Sequence, residues 1–314
     1  MNKNAFKAAT ALIAFCVALP FLYGQDEIHV LPVQGSIYML VGAGGNIALQ
    51  VGDEGVLVVD TGTAPLSEKV LAAIRQISKK PIRYIVNTNA DPDHVGGNES
   101  IGKAGITITG GNVAGNITDA GEGAAIVAHD SVLTRMPQTP FRALPTDTFV
   151  GDEKDLYFNG EGIQLLHQPL AHTDGDSVIF FRKSDVVLTG DIFLTTTYPV
   201  IDIARGGSIN GIVDALNRIL DITIPKEKQE GGTMVIPGHG RLCDEADVVE
   251  YRDMLTIIRD RIQDMVRKGM SLEQVKAARP TFDYDGRYGR DAASWTKDMF
   301  VEAAYRSLSQ GKNK

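Results

Sequence analysis

Hydrophobic positions change their period along this chain, and each change marks an element. Residues 36–60 alternate in the manner of strands, through SIYMLVG, NIALQVG and GVLVVD, and the turn Gly52-Asp53-Glu54-Gly55 fits a hairpin. Over residues 66–79 the spacing lengthens to that of a helix, with Val70, Leu71, Ile74 and Ile77 on one face. RYIV at 83–86 is a short, largely apolar run of the kind a buried strand shows. Residues 105–109 and 124–128 continue the α/β rhythm.

A second strand-rich half follows at 161–168, 177–181 and 186–189. Ser208 can cap a helix carrying Ile212, Val213, Leu216, Ile219 and Leu220, and residues 233–236 make a last strand. From Asp244 the texture becomes helical, with Val248, Tyr251, Leu255, Ile258, Ile262 and Met265 in one stripe. Ser271 and Gln274 form a capping box for a shorter helix that Pro280 ends. Residues 281–293 read as a loop, and a final amphipathic helix is expected from Trp295 to Leu308.

The 314 residues are enough for one large domain or two small ones, and 43% of them are hydrophobic, which supports a sizeable core. The opening MNKNAFKAATALIAFCVALPFLYGQ reads as a secretory signal peptide, with Lys3 and Lys7 before an uncharged run and Gly24 at a plausible cut. Removing residues 1–24 takes two lysines and no acid, which leaves 29 basic against 39 acidic residues. That negative balance disfavours nucleic acid and anionic membrane surfaces as partners. Only Cys243 survives the cut, so no intrachain disulfide can form and an exported chain must rely on its core or on a metal. The expected organisation is a leader at 1–24, a main α/β domain at 25–243 and a helical extension at 244–314 packed on it. The expected location is the periplasm or the exterior.

Every candidate site residue directly follows a strand. Asn89 to His94 follow RYIV, His172 follows the strand through Gln168, Asp191 follows VVLT, and His239 follows MVI. In layered α/β folds, ligand groups converge where strand ends face one way. A lone histidine after a strand is usually a hydrogen-bonded structural residue. His29, His129 and His167 are read that way, His129 as orienting a local turn. His94, His172 and His239 instead make a set with Asp93 and Asp191, each in a Gly- or Pro-containing segment (DHVGG, AHTDGDS, LTGD, PGHG). Imidazoles and carboxylates together are the donors of a metal centre. Asp174 or Asp176 is expected to support its loop by hydrogen bonds, Asp60 to do the same beneath the site, and Gly96-Gly97 to allow a tight strand-to-helix turn. GAGGN at 42–46 is too poor a dinucleotide fingerprint and belongs to a hairpin. Phe193, Tyr198, Tyr284 and Tyr288 are candidates to line a substrate cleft.

This set resembles the metallo-β-lactamase superfamily, whose first motif is His-x-His-x-Asp-His followed by Gly-Gly-Asn. VNTNADPDHVGGN matches that frame, with Asn89 at the first His, Asp91 at the second, and Asp93 and His94 retained. The family's next His lands on His172, its bridging Asp on Asp191 and its last His on His239, while VLVVDTG at 56–62 looks like its opening strands. The resemblance covers residues 30–242 and implies an α/β fold, a four-layer αββα sandwich with the metal site at one edge of the two sheets. It also implies two metal pockets. One keeps Asp93, His94, Asp191 and His239 intact; the other has Asn89, Asp91, His172 and a share of Asp191.

Asparagine is a poor zinc donor, and exchanging an imidazole for a carboxylate shifts preference toward harder ions. The expectation is one firmly held zinc, with a second ion weak, absent or of another kind such as manganese or iron. Asp91 is either a ligand or a base beside the attacking water, and Asp93 is the alternative base. The resemblance implies a small-molecule hydrolase of the general, glyoxalase II-like branch, acting through a metal-activated water on an ester, thioester, lactone or lactam, or on a phosphoester. Two other readings stand beside it. Loss of two histidines suits a non-catalytic or accessory metal-binding protein on the same scaffold. Single-zinc β-lactamases also carry Asn at the first position, but they have Cys where this chain has Asp191.

Overall fold

The computed structural model describes residues 27–107, 123–289 and 295–310. The leader lies outside the described residues, as do 108–109 of the strand expected at 105–109 and part of the loop expected at 281–293. Seven strands, from His29–Gln34 to Asp147–Phe149, form a first sheet in which sequence neighbours are also spatial neighbours. Six more form a second sheet in the spatial order Cys243–Asp244, Met234–Ile236, Val186–Leu188, Ser177–Phe181, Glu161–His167, Glu153–Phe158.

Alternation along the strands builds four layers. In Gly55–Val59, Leu57 and Val59 face the second sheet, where they join Leu165, Ile179 and Val186. Val56 and Val58 face outward and meet Val70 and Ile74 of the helix Ser67–Ile77. Both faces of that strand are buried, which explains why GVLVV reads as an unbroken apolar run. The outer face of the second sheet is covered by the helices Ile209–Ile222, Glu245–Arg267 and Lys297–Gln310. Tyr251, Leu255 and Ile258 of the long helix are fully buried there. Each such side chain stabilises the packing by about 1.5–3 kcal/mol, so the helical extension is held firmly on the sheet.

Local signals set the element ends. Ser208 accepts from the Gly211 N–H at 2.9 Å, and Ser271 and Gln274 form the reciprocal capping box. Part of the expected loop after Pro280 is helical instead, as a 3₁₀ turn at Phe282–Tyr284 and a short helix at Asp285–Tyr288. No helix among the described residues is long and apolar enough to cross a membrane.

Parallel pairing decides where the site sits. Gly55–Val59 pairs in parallel with Ile82–Val86, and Val186–Leu188 with Met234–Ile236. Parallel neighbours end on the same side, so Asp60, Asn87–His94, Thr189–Asp191 and Pro237–His239 emerge together.

Candidate metal centre

Asp91 stands at the N-cap position of the short helix Pro92–Val95 without a side-chain capping bond, and that helix has proline at its first turn and carries Asp93 and His94 on successive positions. The Asn89 side-chain oxygen accepts from the Asp91 N–H at 2.8 Å and shapes the turn into that helix. Below it, Asn98 and Asn87 exchange hydrogen bonds, and the Thr61 hydroxyl donates to Asn98 Oδ1 at 2.9 Å. Gly96 and Gly97 have ordinary negative φ, of −61° and −85°. Their role is therefore close approach rather than a special turn. A Cβ at Gly97 would come within 2.5 Å of the Thr61 carbonyl oxygen, where the ligand helix packs on the segment after Asp60. Gly190, at φ +50°, does take a left-handed conformation, and it aims Asp191 into the site.

His94, Asp93 and His239 each offer an atom within 4.8 Å of the others, and Asp91, His172 and Asp191 make a second such group. Asp191 Oδ1 lies 3.2 Å from His94 Nε2 and 3.5 Å from His239 Nε2, and Asp93 Oδ2 lies 3.1 Å from His239 Nε2. The two groups therefore share Asp191 and form one centre. His94 and His172 are fully buried, whereas the His239 and Asp93 side chains are 34% and 32% exposed and mark the open side.

Each buried imidazole is oriented by a carboxylate. His94 Nδ1–H donates to Asp60 Oδ2 at 2.7 Å, and Asp60 also accepts from the Thr88 N–H and hydroxyl at 2.8 and 2.7 Å. Asp60 sits at φ +60°, a strained backbone of the kind found at functional sites. His172 Nδ1–H donates to Asp176 Oδ1 at 3.2 Å, and Asp176 also accepts from the Thr173 N–H at 2.5 Å. Both rings thus turn Nε2 toward the centre. His172 Nε2 is buried and has no hydrogen-bond partner among the described residues, which fits an atom whose ligand is a metal ion.

Electrostatics agree with a cation site. Burial disfavours the charged form of His94, yet Asp191 and Asp60 outweigh it and hold the ring well above its ordinary value. Burial also opposes charge on His172, and Asp176, Asp191 and Asp91 overcome it to lift the ring to about 9. His239 is raised against its burial by Asp93 and Asp191. The His239 hydrogen bond holds Asp93 below the usual carboxylate range, and His94, His172 and His239 outweigh burial to hold Asp191 there too. Carboxylates that favour the charged form of three imidazoles also suit a divalent cation in place of those protons.

Other expected residues are elsewhere. Phe193 and Tyr198 do not line a cleft: the chain after Asp191 turns beneath the helical extension, and both are core. Phe193 packs edge-on against Tyr251, with centroids 5.1 Å apart. Tyr198 stacks on Phe300 at 4.7 Å, and its hydroxyl lies 3.1 Å from Asp285 Oδ1 and 3.2 Å from the Thr281 carbonyl oxygen. Tyr284 and Tyr288 join the same cluster. His129 accepts from the Ser131 N–H at 3.2 Å, capping a turn, and its ring stacks on His167 outside the centre. Asp174 pairs with Arg135.

Two contributors carried no motif. Asn46, in GAGGN, donates through Nδ2 to the carbonyls of Pro237 and Gly240 at 2.8 and 3.1 Å and latches the loop that bears His239. Arg205 donates through Nη1 to Asp91 Oδ1 at 2.5 Å. Neither has a local signal, because their partners lie 191 to 194 and 114 residues away in sequence.

Two sheets between helical layers, with imidazoles and carboxylates gathered at the strand ends, define a metal-centred αββα sandwich. The chain belongs to the metallo-beta-lactamase superfamily, whose family model matches residues 40–242. Among curated proteins it is similar to the linear primary-alkylsulfatase of Pseudomonas sp. (strain ATCC 19151), 26% identical over 263 residues, covering 71% of this chain. The chain spans about half, 47%, of the length of that relative. Among solved structures it resembles the stereoselective inverting sec-alkylsulfatase Pisa1 from Pseudomonas sp., with a TM-score of 0.63 at 14% identity, over 91% of this chain and 50% of that one. It also resembles a metallo-beta-lactamase from Pontibacter korlensis, with a TM-score of 0.54 at 15% identity, over 73% of this chain and 99% of that one. These structural likenesses speak for the fold.

Proposed function

We propose that this protein is an exported, metal-dependent hydrolase of small-molecule esters, with zinc as the ion in the pocket of Asp93, His94, His239 and Asp191. The observation that carries the reading is the convergence of those donors, two imidazoles and two carboxylates, at a cleft with one open side. Asp93, His94 and His239 supply the three protein ligands of a catalytic zinc, and with Asp191 shared toward the neighbouring pocket a position for water remains. When bound, the ion supplies a water acidified from about 15.7 to about 7 and a Lewis-acid contact for the scissile group.

The chain's own residues define the rest. Asp60 holds His94 in the tautomer that ligates, and Asn46 fixes the His239 loop. Asp93 and His239, at the exposed side, border the approach of the substrate. Of the two candidate bases, Asp93 is weakened as a proton acceptor by its bond to His239, and Asp91 is engaged by Arg205. Both serve better as ligands. The alkylsulfatase relative makes a sulfate ester the first substrate class to try, ahead of carboxylic esters, thioesters, lactones, lactams and phosphoesters.

The test is elemental analysis of the mature protein together with hydrolysis across those classes. At least one equivalent of transition metal and activity on an ester class, both lost on chelation, is the expected result. A protein that takes up less than a tenth of an equivalent after reconstitution is an accessory protein on this scaffold, and the hydrolase reading fails.

A further inference from the structure

The altered first motif leaves Asp91 where the family has an imidazole. A carboxylate on a short side chain must be held in place to ligate, and the structure shows what holds it. Asp91 divides its two oxygens. Oδ1 accepts from Arg205 Nη1 at 2.5 Å, and Oδ2 lies 3.5 Å from His172 Nε2. Arg205 is itself fixed, because its Nε donates to Asp202 Oδ2 at 2.7 Å and its backbone N–H to Asp202 Oδ1 at 3.0 Å. The Asp202 N–H in turn donates to the His172 carbonyl at 3.0 Å. Asp91, Arg205, Asp202 and His172 thus close a ring of contacts around one edge of the centre.

Within that ring one atom, close to Asp91 Oδ2 at 3.5 Å, lacks a hydrogen bond. Asp176 occupies Nδ1 of His172, and the buried Nε2 has no hydrogen bond among the described residues; its separation from Asp91 Oδ2 is beyond hydrogen-bond reach. Leaving such an atom unsatisfied is destabilising, and a ligand in the gap would relieve it. Asp191 completes the group within 4.8 Å. Asn89 offers less, since its oxygen already accepts from the Asp91 N–H.

We infer that Arg205 is a positioning residue that presents Asp91 to a second divalent ion, in a pocket completed by His172 and Asp191. The inference rests on reading the centre as metal-binding and goes beyond it. Two carboxylates and one imidazole make a harder donor set than the neighbouring pocket, so the second pocket accepts Mn²⁺ or Fe²⁺ more readily than the first does. Loss of a residue that orients a metal ligand typically weakens binding ten- to a hundredfold. Arg205→Ala should do this at the second pocket and leave the first unchanged. A guanidinium that merely competed with the ion would give the opposite sign.

The experiment is anaerobic titration of metal-free full-length protein with Mn²⁺, read by calorimetry and by the loss of the free-ion paramagnetic resonance signal. Wild type should bind two equivalents and show a spin-coupled pair. Arg205→Ala should keep one tight equivalent, weaken the other about ten- to a hundredfold and lose the coupled signal. Arg205→Lys, which can reach Asp91 but cannot bridge it to Asp202 with a planar fork, should fall between. Asp91→Asn should lose the same equivalent, and it replaces Arg205→Ala should that variant not fold. A second equivalent bound by Arg205→Ala as tightly as by wild type, or more tightly, overturns the inference. So does a wild type that binds a single equivalent of Mn²⁺, Fe²⁺ or Zn²⁺, although the hydrolase reading then survives. Binding of no ion at all rejects both.

Discussion

The two halves of the centre share Asp191 and differ in how their other donors are held. In the first, Asp93 and His239 touch each other at 3.1 Å near the open side, and only His94 is buried behind them. In the second, His172 is fully buried and Asp91 is fixed by an arginine. By the resemblance read from the sequence, the first half keeps the family's residues. By the same resemblance the second departs at Asn89 and Asp91, and both residues have partners in the structure, a backbone amide for one and a guanidinium for the other. A motif position can therefore lose its usual residue while the space around it stays organised for a cation.

Removing the first half should have the largest effect. His94→Ala should reduce hydrolysis to the uncatalysed background and abolish the first metal equivalent, while far-ultraviolet dichroism shows the fold retained. Without an ion the attacking water returns from a pKa of about 7 to about 15.7. Full activity in a folded His94→Ala protein would remove this pocket from the chemistry.

Next in size are the two carboxylates that orient the rings. Asp60→Asn should weaken the ion of the first pocket, and Asp176→Asn that of the second, each by about ten- to a hundredfold. Competition with a chromophoric chelator reads both. If either variant weakens both ions equally, the centre is a single unit and the division into halves is wrong.

Much of this centre was legible in the chain because most of its donors follow strands of parallel pairs, whereas His172 follows the antiparallel strand Glu161–His167. Val86 before Asn87 and Ile236 before Pro237 announced two exits, and the fold brings them together as the α/β rule requires. Asp60 was legible too, as the residue ending VLVVD. Arg205 and Asn46 were not. Arg205 sits in a 3₁₀ turn between elements, and its value depends on a carboxylate 114 residues earlier. Phe193 and Tyr198 misled for the same reason: residues beside a ligand in sequence point wherever the next packing surface lies, and here that surface is the helical extension.

Proton linkage gives a smaller effect of known sign. His172 is raised from 6.5 to about 9, and His94 and His239 are raised as well. Imidazoles with raised values stabilise the ion-free fold fully below pH 6.5, and that contribution disappears as pH climbs to about 9. Asp93 and Asp191 are lowered from 3.8, so they contribute above that pH and stop doing so as it falls through their folded values. The chelated protein should therefore melt highest between about pH 4 and 6.5 and several degrees lower at pH 9. Ion binding must expel those protons, so metal affinity should rise over the same interval in which ion-free stability falls. Differential scanning calorimetry with and without chelator checks both slopes, and parallel slopes would mean the imidazoles are not the ligands.

The smallest effect separates packing from contact with substrate. Tyr198→Phe removes a hydroxyl lying near Asp285 Oδ1 and the Thr281 carbonyl but keeps the ring stacked on Phe300. A lost hydrogen bond of this kind costs about 0.5–1.5 kcal/mol. As a core residue, Tyr198 should show that loss in a denaturation midpoint, with kcat and KM unchanged. A KM raised several-fold at unchanged stability would instead put its hydroxyl against the substrate, and the cleft would extend beneath the helical extension. The burial of Tyr198, at 1% exposure, decides for the first outcome, because a ring that solvent cannot reach is closed to a substrate unless the helices above it move.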